Sequence, residues 1–282
     1  MPEQDVQSSG TEMSFWDHLE VLRWALFRIV IALFVLLVGC FIAMPHIFDS
    51  FVLGPTRGDF FLYRWIAGMG SGNGGHTSAS LIPDFGGDFN VDIININVAT
   101  QFLTHISTSF WFALVLVFPI IMYEIWKFIS PALFPEEQRN VRRAFIFSSL
   151  LFYIGCAVGY TVVFPLTFRF LTTYQVGELI VNQISMNSYM SNFLTIVFVM
   201  GLVFEMPVLS WILSCLGVLK KPFLKKYRKH AVVILLVLSA LITPSGDPFT
   251  LSVVFLPLFL LYELSILIVK DEIPEEEGPA AD

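Results

Sequence analysis

The residue whose chemistry is least expected for its surroundings is Glu205, in the middle of the apolar run 193–216. An ionisable side chain at that depth of a bilayer costs about 2.5–3.5 kcal/mol on insertion scales, so it faces protein or a wet cavity. Pro207 follows two residues later and predicts a helix kink that frees backbone carbonyls. Two interpretations stay open: a functional carboxylate inside the membrane, or a polar group that bonds another helix of the same bundle.

A second candidate lies in the segment 127–143. Pro131 and Pro135 exclude a regular helix across it, so the chain must turn. The adjacent Glu136 and Glu137 follow, with Arg139 close behind. Acids in the first turn of a helix explain this pattern without any ligand. The alternative is a pair of carboxylates that receives an incoming cation.

A third group precedes the first long apolar run. Asp17, Glu20 and Arg23 recur at three-residue spacing, on one side of a helix predicted over 14–23. Leu19 belongs to an apolar stripe on another side, so we expect this helix to lie in the membrane interface. Its charges are either simply solvated or part of a binding surface.

No set of residues predicts catalysis, a cofactor or a metal. The three cysteines lie far apart in apolar runs and are interpreted as small buried hydrophobes. The five histidines show no metal-ligand spacing, and no Ser-His-Asp set, phosphate-binding loop or haem pair is convincing. We therefore predict that the chain is not an enzyme and has no cofactor.

Composition predicts a membrane protein. Of 282 residues, 56% are hydrophobic and 14% charged, against about 45–50% and 25% in soluble domains. Four runs are long enough to span a bilayer, and two shorter ones flank a Pro- and Gly-containing turn at 243–248. The prediction is an all-α polytopic protein with six transmembrane helices, the last two short, although one re-entrant hairpin would satisfy the same hydropathy. The predicted spans are 24–44, 106–126, 144–166, 193–216, 231–243 and 249–269, between a disordered acidic tail over 1–13 and an acidic tail over 271–282.

The basic residues set the predicted orientation. With six spans, 13 of the 16 Lys and Arg residues fall on the side of the two termini. The positive-inside rule therefore predicts that both termini are cytoplasmic. The outer side then holds a long loop over 45–98 and a shorter one over 171–190. Nothing in this distribution favours nucleic-acid binding.

In their order and spacing, four passages resemble the TatC family, the multi-spanning core subunit of the twin-arginine protein translocase. They are the helix 14–28, the loop 128–139 with Pro131, Leu133 and Glu137, the intramembrane Phe204-Glu205-Met206-Pro207, and the final hairpin from Leu241 to Glu263.

The resemblance implies a concave, glove-like bundle in the bacterial cytoplasmic membrane, in a multimeric complex that exports folded proteins with the proton motive force. It implies that twin-arginine signal peptides bind at Asp17, Leu19, Glu20, Arg23, Phe128, Pro131, Leu133, Glu136 and Glu137. It further implies that Phe204, Glu205 and Pro207 contact the small single-span subunits TatA and TatB. The sequence departs from the family at Val21, where an acid is common, and carries Glu20 beside it.

Electrostatics agrees with this assignment. Two arginines are best held by carboxylates in bidentate geometry. The segment 220–229 holds six bases, would repel such a ligand, and suits anionic membrane lipid at about 1 kcal/mol per base. The alternative function is a proton-coupled small-molecule permease, motivated by Glu205 with Pro207, Pro119 and Pro165. The absence of paired broken helices in the sequence weakens that alternative.

Overall fold

Helices make up most of the described chain. The computed structural model describes residues 15–70, 89–130, 135–174, 182–243 and 245–269. The helices of these ranges, in chain order, are α1 (Phe15–Ile47), α2 (Phe61–Gly70), α3 (Thr100–Ile129), α4 (Pro135–Val158), α5 (Phe164–Thr173), α6 (Met186–Val203), α7 (Met206–Cys215), α8 (Lys221–Lys226), α9 (Arg228–Ile242) and α10 (Pro248–Ile268). A π-helical turn, Gly159–Val163, joins α4 to α5 without a loop. Both predicted terminal tails lie outside the described residues.

The first apolar run is one continuous helix, α1. The helix predicted over 14–23, which is expected to lead directly into the first span, forms the beginning of α1 from Phe15 onward. The physical reason is that neither Gly nor Pro occurs between residues 15 and 38, so nothing interrupts the helix. Leu26, Phe34 and Ile42 stay more than half exposed along it, as expected for side chains that face lipid.

Five helical segments of the described chain are long and apolar enough to cross a membrane. They run over Leu19–Thr56, Thr100–Ile129, Arg142–Thr173, Met186–Cys215 and Pro248–Ile268. The fifth predicted span is the 15-residue helix α9, which reaches only about 22 Å. The sixth, α10, has 21 residues, so the prediction that both final helices are short is wrong for α10. α10 continues past Glu263. The Glu263 carboxylate is paired with Arg228, at the start of α9, at 2.5 Å.

The turn between α9 and α10 is tight, as the sequence predicts. Gly246 has a positive φ of 59°, and Asp247 caps α10 by accepting a hydrogen bond from the backbone N of Thr250 at 2.9 Å. Burial would raise the pKa of Asp247, but hydrogen bonds from Ser245 and Thr250 outweigh it and lower that pKa below its ordinary value. The cap is therefore ionised at neutral pH.

α1 and α3 pack side by side in opposite directions. Arg28 pairs with Glu124, and thirteen residues further along α1 the ring of Phe41 stacks on His105 at 4.0 Å. Because residue numbers rise along one helix as they fall along the other, the start of α1 and the end of α3 lie at one end of the molecule. That end carries the predicted cytoplasmic segments.

α4 and α6 approach each other at glycines. A Cβ on Gly155 would come within 2.7 Å of the Met200 carbonyl oxygen, and one on Gly201 within 2.6 Å of the Cys156 sulfur. Only glycine permits such close backbone contact, which is typical of membrane helix pairs. This contact holds α6 against α4 just before Glu205.

The opposite end carries short elements that sequence patterning did not predict. The predicted long loop contains α2 and a two-residue strand, β1 (Ile93–Ile94), which pairs in parallel with β2 (Ile184–Ser185). The Arg169 guanidinium lies over the rings of Tyr63 and Phe89 at 4.8 and 4.7 Å, and the Tyr63 hydroxyl donates to the Pro165 carbonyl at 3.1 Å. Burial raises the pKa of Tyr63, so its hydroxyl stays a donor. Cation–π and hydrogen-bond contacts thus fasten this end to the helices.

The main core lies next to this end. Phe164, Phe168, Tyr189 and Phe193 pack ring against ring with centroids 5.1–6.1 Å apart. α10 adds buried aliphatic side chains to the same cluster.

Candidate functional site

Glu205 sits at a break between two helices. α6 ends at Val203 and α7 begins at Met206, with Phe204 and Glu205 in the turn between them. Pro207 occupies the first turn of α7, where its missing N–H costs little. The helix is therefore interrupted next to Pro207, and Glu205 lies in the interruption.

The Glu205 carboxylate is buried and only partly bonded. Its residue is 7% exposed. The Ser148 hydroxyl on α4 donates to Oε2 at 2.5 Å. No hydrogen-bond donor among the described residues reaches Oε1. Phe204 is half-buried and Pro207 buried beside it.

This geometry is compatible with both interpretations of Glu205 that the sequence left open. One oxygen bonds a neighbouring helix, as in a purely structural role. The other oxygen is buried in the same segment and has no donor within the described ranges, and an unsatisfied buried acceptor is energetically costly. The carboxylate can therefore accept a further donor that is brought to it.

A second buried carboxylate, Glu124, is fully paired. Arg28 on α1 donates to both of its oxygens, at 2.7 and 2.6 Å. Glu124 is 5% exposed. Sequence patterning predicts a structural role near a span end for Glu124 but does not identify Arg28 as its partner. The sequence feature that could have indicated this pairing is a single basic residue in the first apolar run and a single acidic residue in the second. The antiparallel packing of α1 on α3 brings the two side chains together.

The predicted signal-peptide residues at the start of α1 are at the surface. The Glu20 and Arg23 side chains are 63% and 72% exposed and lie 3.7 Å apart, and Leu19 is exposed as well. Val21, next to Glu20, is half-buried. Glu20 is therefore the carboxylate that this turn presents to solvent. Asp17 lies in α1, and its side chain lies outside what the structure describes.

The remaining predicted residues flank the junction between α3 and α4. α3 ends at Ile129 and α4 begins at Pro135, so the chain breaks its helix where the two prolines predict. Phe128 is half-buried in the last turn of α3. Pro131 and Leu133 lie outside the described residues. Glu136 and Glu137 form the first turn of α4, and their side chains are not described.

The fold brings two of the three predicted groups to one end. The start of α1 and the α3–α4 junction share that end because α1 and α3 are antiparallel. Glu205 is separate from them and contacts α4 through Ser148, thirteen residues after the helix start at Pro135. The predicted residues therefore make two sites, an end surface and an intramembrane carboxylate.

A basic segment lies at the same end. α8 and the start of α9 carry Lys225, Lys226 and Lys229, all exposed. Arg228 next to them is held by Glu263. Among the described residues, no group of three or more His, Cys, Asp or Glu side chains lies close enough to hold a metal ion.

Fold and site together define a multi-pass helical membrane protein with one partly bonded buried carboxylate. Its sequence matches the family model "Sec-independent protein translocase protein (TatC)" over residues 17–257, and the chain belongs to that family. This confirms the predicted resemblance.

Individual relatives match this chain over between about three fifths and nearly all of its length. The TatC protein of Blattabacterium sp. subsp. Periplaneta americana is 35% identical over 263 residues, which cover 93% of this chain and 97% of the relative. The TatC of Escherichia coli K12 is 37% identical over 62% of this chain and 67% of its own.

The fold is also similar to a solved structure. A crystal structure of the twin-arginine translocase receptor TatC superposes with a TM-score of 0.70 at 28% identity, over 90% of this chain and 99% of that one. The chain is thus a component of a protein translocase, a transport role rather than catalysis.

Proposed function

We propose that this chain is the receptor and scaffold subunit of a twin-arginine translocase in the bacterial cytoplasmic membrane. It binds twin-arginine signal peptides of folded precursors at its cytoplasmic end and organises the single-span subunits TatA and TatB through Glu205. Both termini are cytoplasmic, and six spans, with α9 as the short one, form a concave, glove-like scaffold. The observation that carries the proposal is the buried Oε1 of Glu205, which lacks a donor among the described residues.

The end surface supports the receptor role. Glu20 is exposed, and Glu136 and Glu137 begin α4 at the same end. Carboxylates accept bidentate pairs from arginine, which lysine cannot reproduce. Arg23 lies 3.7 Å from Glu20, so an incoming arginine competes with a weak, exposed ion pair.

The basic segment of α8 and α9 supports the orientation. Exposed Lys225, Lys226 and Lys229 would repel a twin-arginine peptide but attract the anionic headgroups of the cytoplasmic leaflet. At this end, the acidic surface therefore binds the signal peptide and the basic surface binds membrane lipid.

The intramembrane site supports the scaffold role. A single-span helix that carries a polar side chain in its apolar stretch has no water with which to bond. The open oxygen of Glu205 offers an acceptor, and Ser148 keeps the carboxylate in place. A hydrogen bond between that polar side chain and the open Glu205 oxygen satisfies both groups.

Titration of a fluorescent signal peptide tests the receptor role. The purified chain should bind a peptide with an Arg-Arg pair more tightly than its Lys-Lys counterpart, and Glu137→Ala should abolish that preference. Asp92→Ala, an exposed carboxylate at the opposite end, is the matched control and should bind as the wild type does. Equal binding of both peptides would contradict the proposal. Substrate uptake by proteoliposomes that contain this chain alone would instead support the permease alternative.

A further inference from the structure

A polar groove lies between α3 and α6, away from the sites described above. Its volume is about 430 Å³. The side chains that define its chemistry are Thr104, Ser107 and Thr108 of α3 and Asn187, Ser191 and Thr195 of α6. None of the residues that line it is charged. Both helices belong to segments long and apolar enough to cross a membrane.

One hydroxyl in this groove has no hydrogen-bond partner in the part of the chain that the structure describes. Thr108 is 0% exposed, and its Oγ1 forms no hydrogen bond with any described residue. The next side chain, Ser109, donates to the His105 carbonyl at 2.7 Å, which is the usual way in which a membrane helix satisfies a hydroxyl. A buried hydroxyl that does not bond its own helix needs a partner in the groove.

The groove extends deep along α3. Its lining runs from Thr100, the first residue of α3, to Trp111. The twelve helical residues from Thr100 to Trp111 rise about 16 Å along the axis, and the groove enters the predicted span 106–126 as far as Trp111. Both α3 and α6 begin at the groove, and this end lies opposite the start of α1. The groove therefore opens toward the side away from the N-terminus.

We propose that this groove is a hydrated crevice that admits water and small uncharged hydrophilic groups into the outer half of the bilayer. The lining supplies hydroxyls and amides, which both donate and accept, as water requires. An ion would need charged or dedicated ligands, which the lining lacks. At about 30 Å³ per molecule, the volume holds on the order of ten waters. Water in the crevice would reduce the thickness of the apolar layer of the membrane next to Trp111.

Cysteine accessibility in native membranes tests the crevice. Ser107→Cys, Ser191→Cys and Thr195→Cys are each made in a chain whose own three cysteines are replaced by serine or alanine. A charged, membrane-impermeant thiol reagent is added from the side opposite the N-terminus. We expect labelling at these positions at least tenfold faster than at Ile106→Cys and Phe110→Cys. Those control positions lie at the same height on α3, are exposed, and do not line the groove.

Two results would overturn the proposal. Labelling of the controls as fast as of the groove positions would mean a thin bilayer rather than a crevice. No labelling at the three groove positions would mean that another chain or lipid fills it.

A further variant, combined with the groove cysteines, tests the role of the Thr108 hydroxyl. Thr108→Val preserves shape and removes the unpartnered hydroxyl, so the fold should be retained. If water bonds that hydroxyl, labelling of Thr195→Cys should fall several-fold, while Ser191→Cys nearer the mouth keeps its rate. Unchanged labelling at both positions would contradict the assignment of Thr108 to the water path.

Discussion

Among the described residues, two glutamates are buried in membrane-spanning segments, and their hydrogen bonding differs. Glu124 has both oxygens taken by the Arg28 guanidinium, at 2.7 and 2.6 Å. Glu205 has one oxygen bonded to Ser148, and its Oε1 has no donor among the described residues. Both residues are less than 10% exposed, so the difference lies in pairing rather than in burial.

The difference separates a structural carboxylate from an available one. A buried charge with a bidentate partner holds two helices together and has no bonding capacity left. A buried carboxylate with an open oxygen is retained at a cost in stability, which is the usual mark of a functional group inside a membrane. The comparison therefore predicts that Glu124 variants lose stability and Glu205 variants lose function.

The largest expected effect is that of Glu205→Ala on export. Removing the carboxylate should abolish export of a twin-arginine reporter, because the small subunits lose their acceptor, while binding of the Arg-Arg peptide stays intact. Export is measured in cells and peptide binding on the purified chain. Glu205→Gln keeps hydrogen-bonding atoms and should retain part of the activity. Export at the wild-type level by Glu205→Ala would contradict the functional role of Glu205 that distinguishes it from Glu124.

The next effect is the loss of stability when the Arg28–Glu124 pair is broken. Arg28→Leu leaves the Glu124 charge buried and unpaired, so Tm in detergent should fall clearly. Glu124→Leu should cost less, because the partly exposed Arg28 side chain can reach the interface. The double variant Arg28→Leu/Glu124→Leu should recover much of the loss. Additive losses in the double variant would show that the pair is not coupled.

A smaller effect is expected at the glycine that lets α6 approach α4. Gly155→Ala places a Cβ within 2.7 Å of the Met200 carbonyl oxygen and of the Phe204 Cβ, so it should destabilise by about 1–3 kcal/mol and disturb the turn that holds Glu205. Gly39→Ala is the matched control, since a Cβ there meets nothing within 4 Å. Unfolding in a denaturant series measures both. Equal stability of the two variants would contradict the close contact.

The smallest effect on stability is expected at the cytoplasmic surface. Glu20→Gln removes one partner of an exposed ion pair and should change the free energy of unfolding by less than about 0.5 kcal/mol. It should nevertheless weaken binding of the Arg-Arg peptide relative to Lys-Lys. Binding indistinguishable from wild type would contradict a role for Glu20 and leave Asp17, Glu136 and Glu137 as the proposed carboxylates.

The sequence predicts features that depend on local chemistry. The helix interruption next to Pro207, the helix break between α3 and α4 and the tight turn before α10 follow from prolines, a glycine and a capping Asp, whose effects extend over only a few residues. The buried position of Glu205 follows from the apolar run around it.

Features that depend on packing between distant segments could not be predicted. The pairing of Arg28 with Glu124 requires the register of α1 on α3, and the pairing of Arg228 with Glu263 lets α10 continue past its acid. The pairing of β1 with β2 joins two loops that are 91 residues apart in the chain. The polar groove requires α3 and α6 to face each other, since neither helix alone reveals it.

The most direct test of the account is to co-purify the small single-span subunits with Glu205→Ala and with Glu124→Leu, and to measure Tm for each. We predict that Glu205→Ala keeps the wild-type Tm and loses the subunits. We predict that Glu124→Leu lowers Tm and keeps the subunits on the protein that remains folded. Retention of the subunits by Glu205→Ala at the wild-type ratio would contradict the central claim that its open carboxylate oxygen is the docking point.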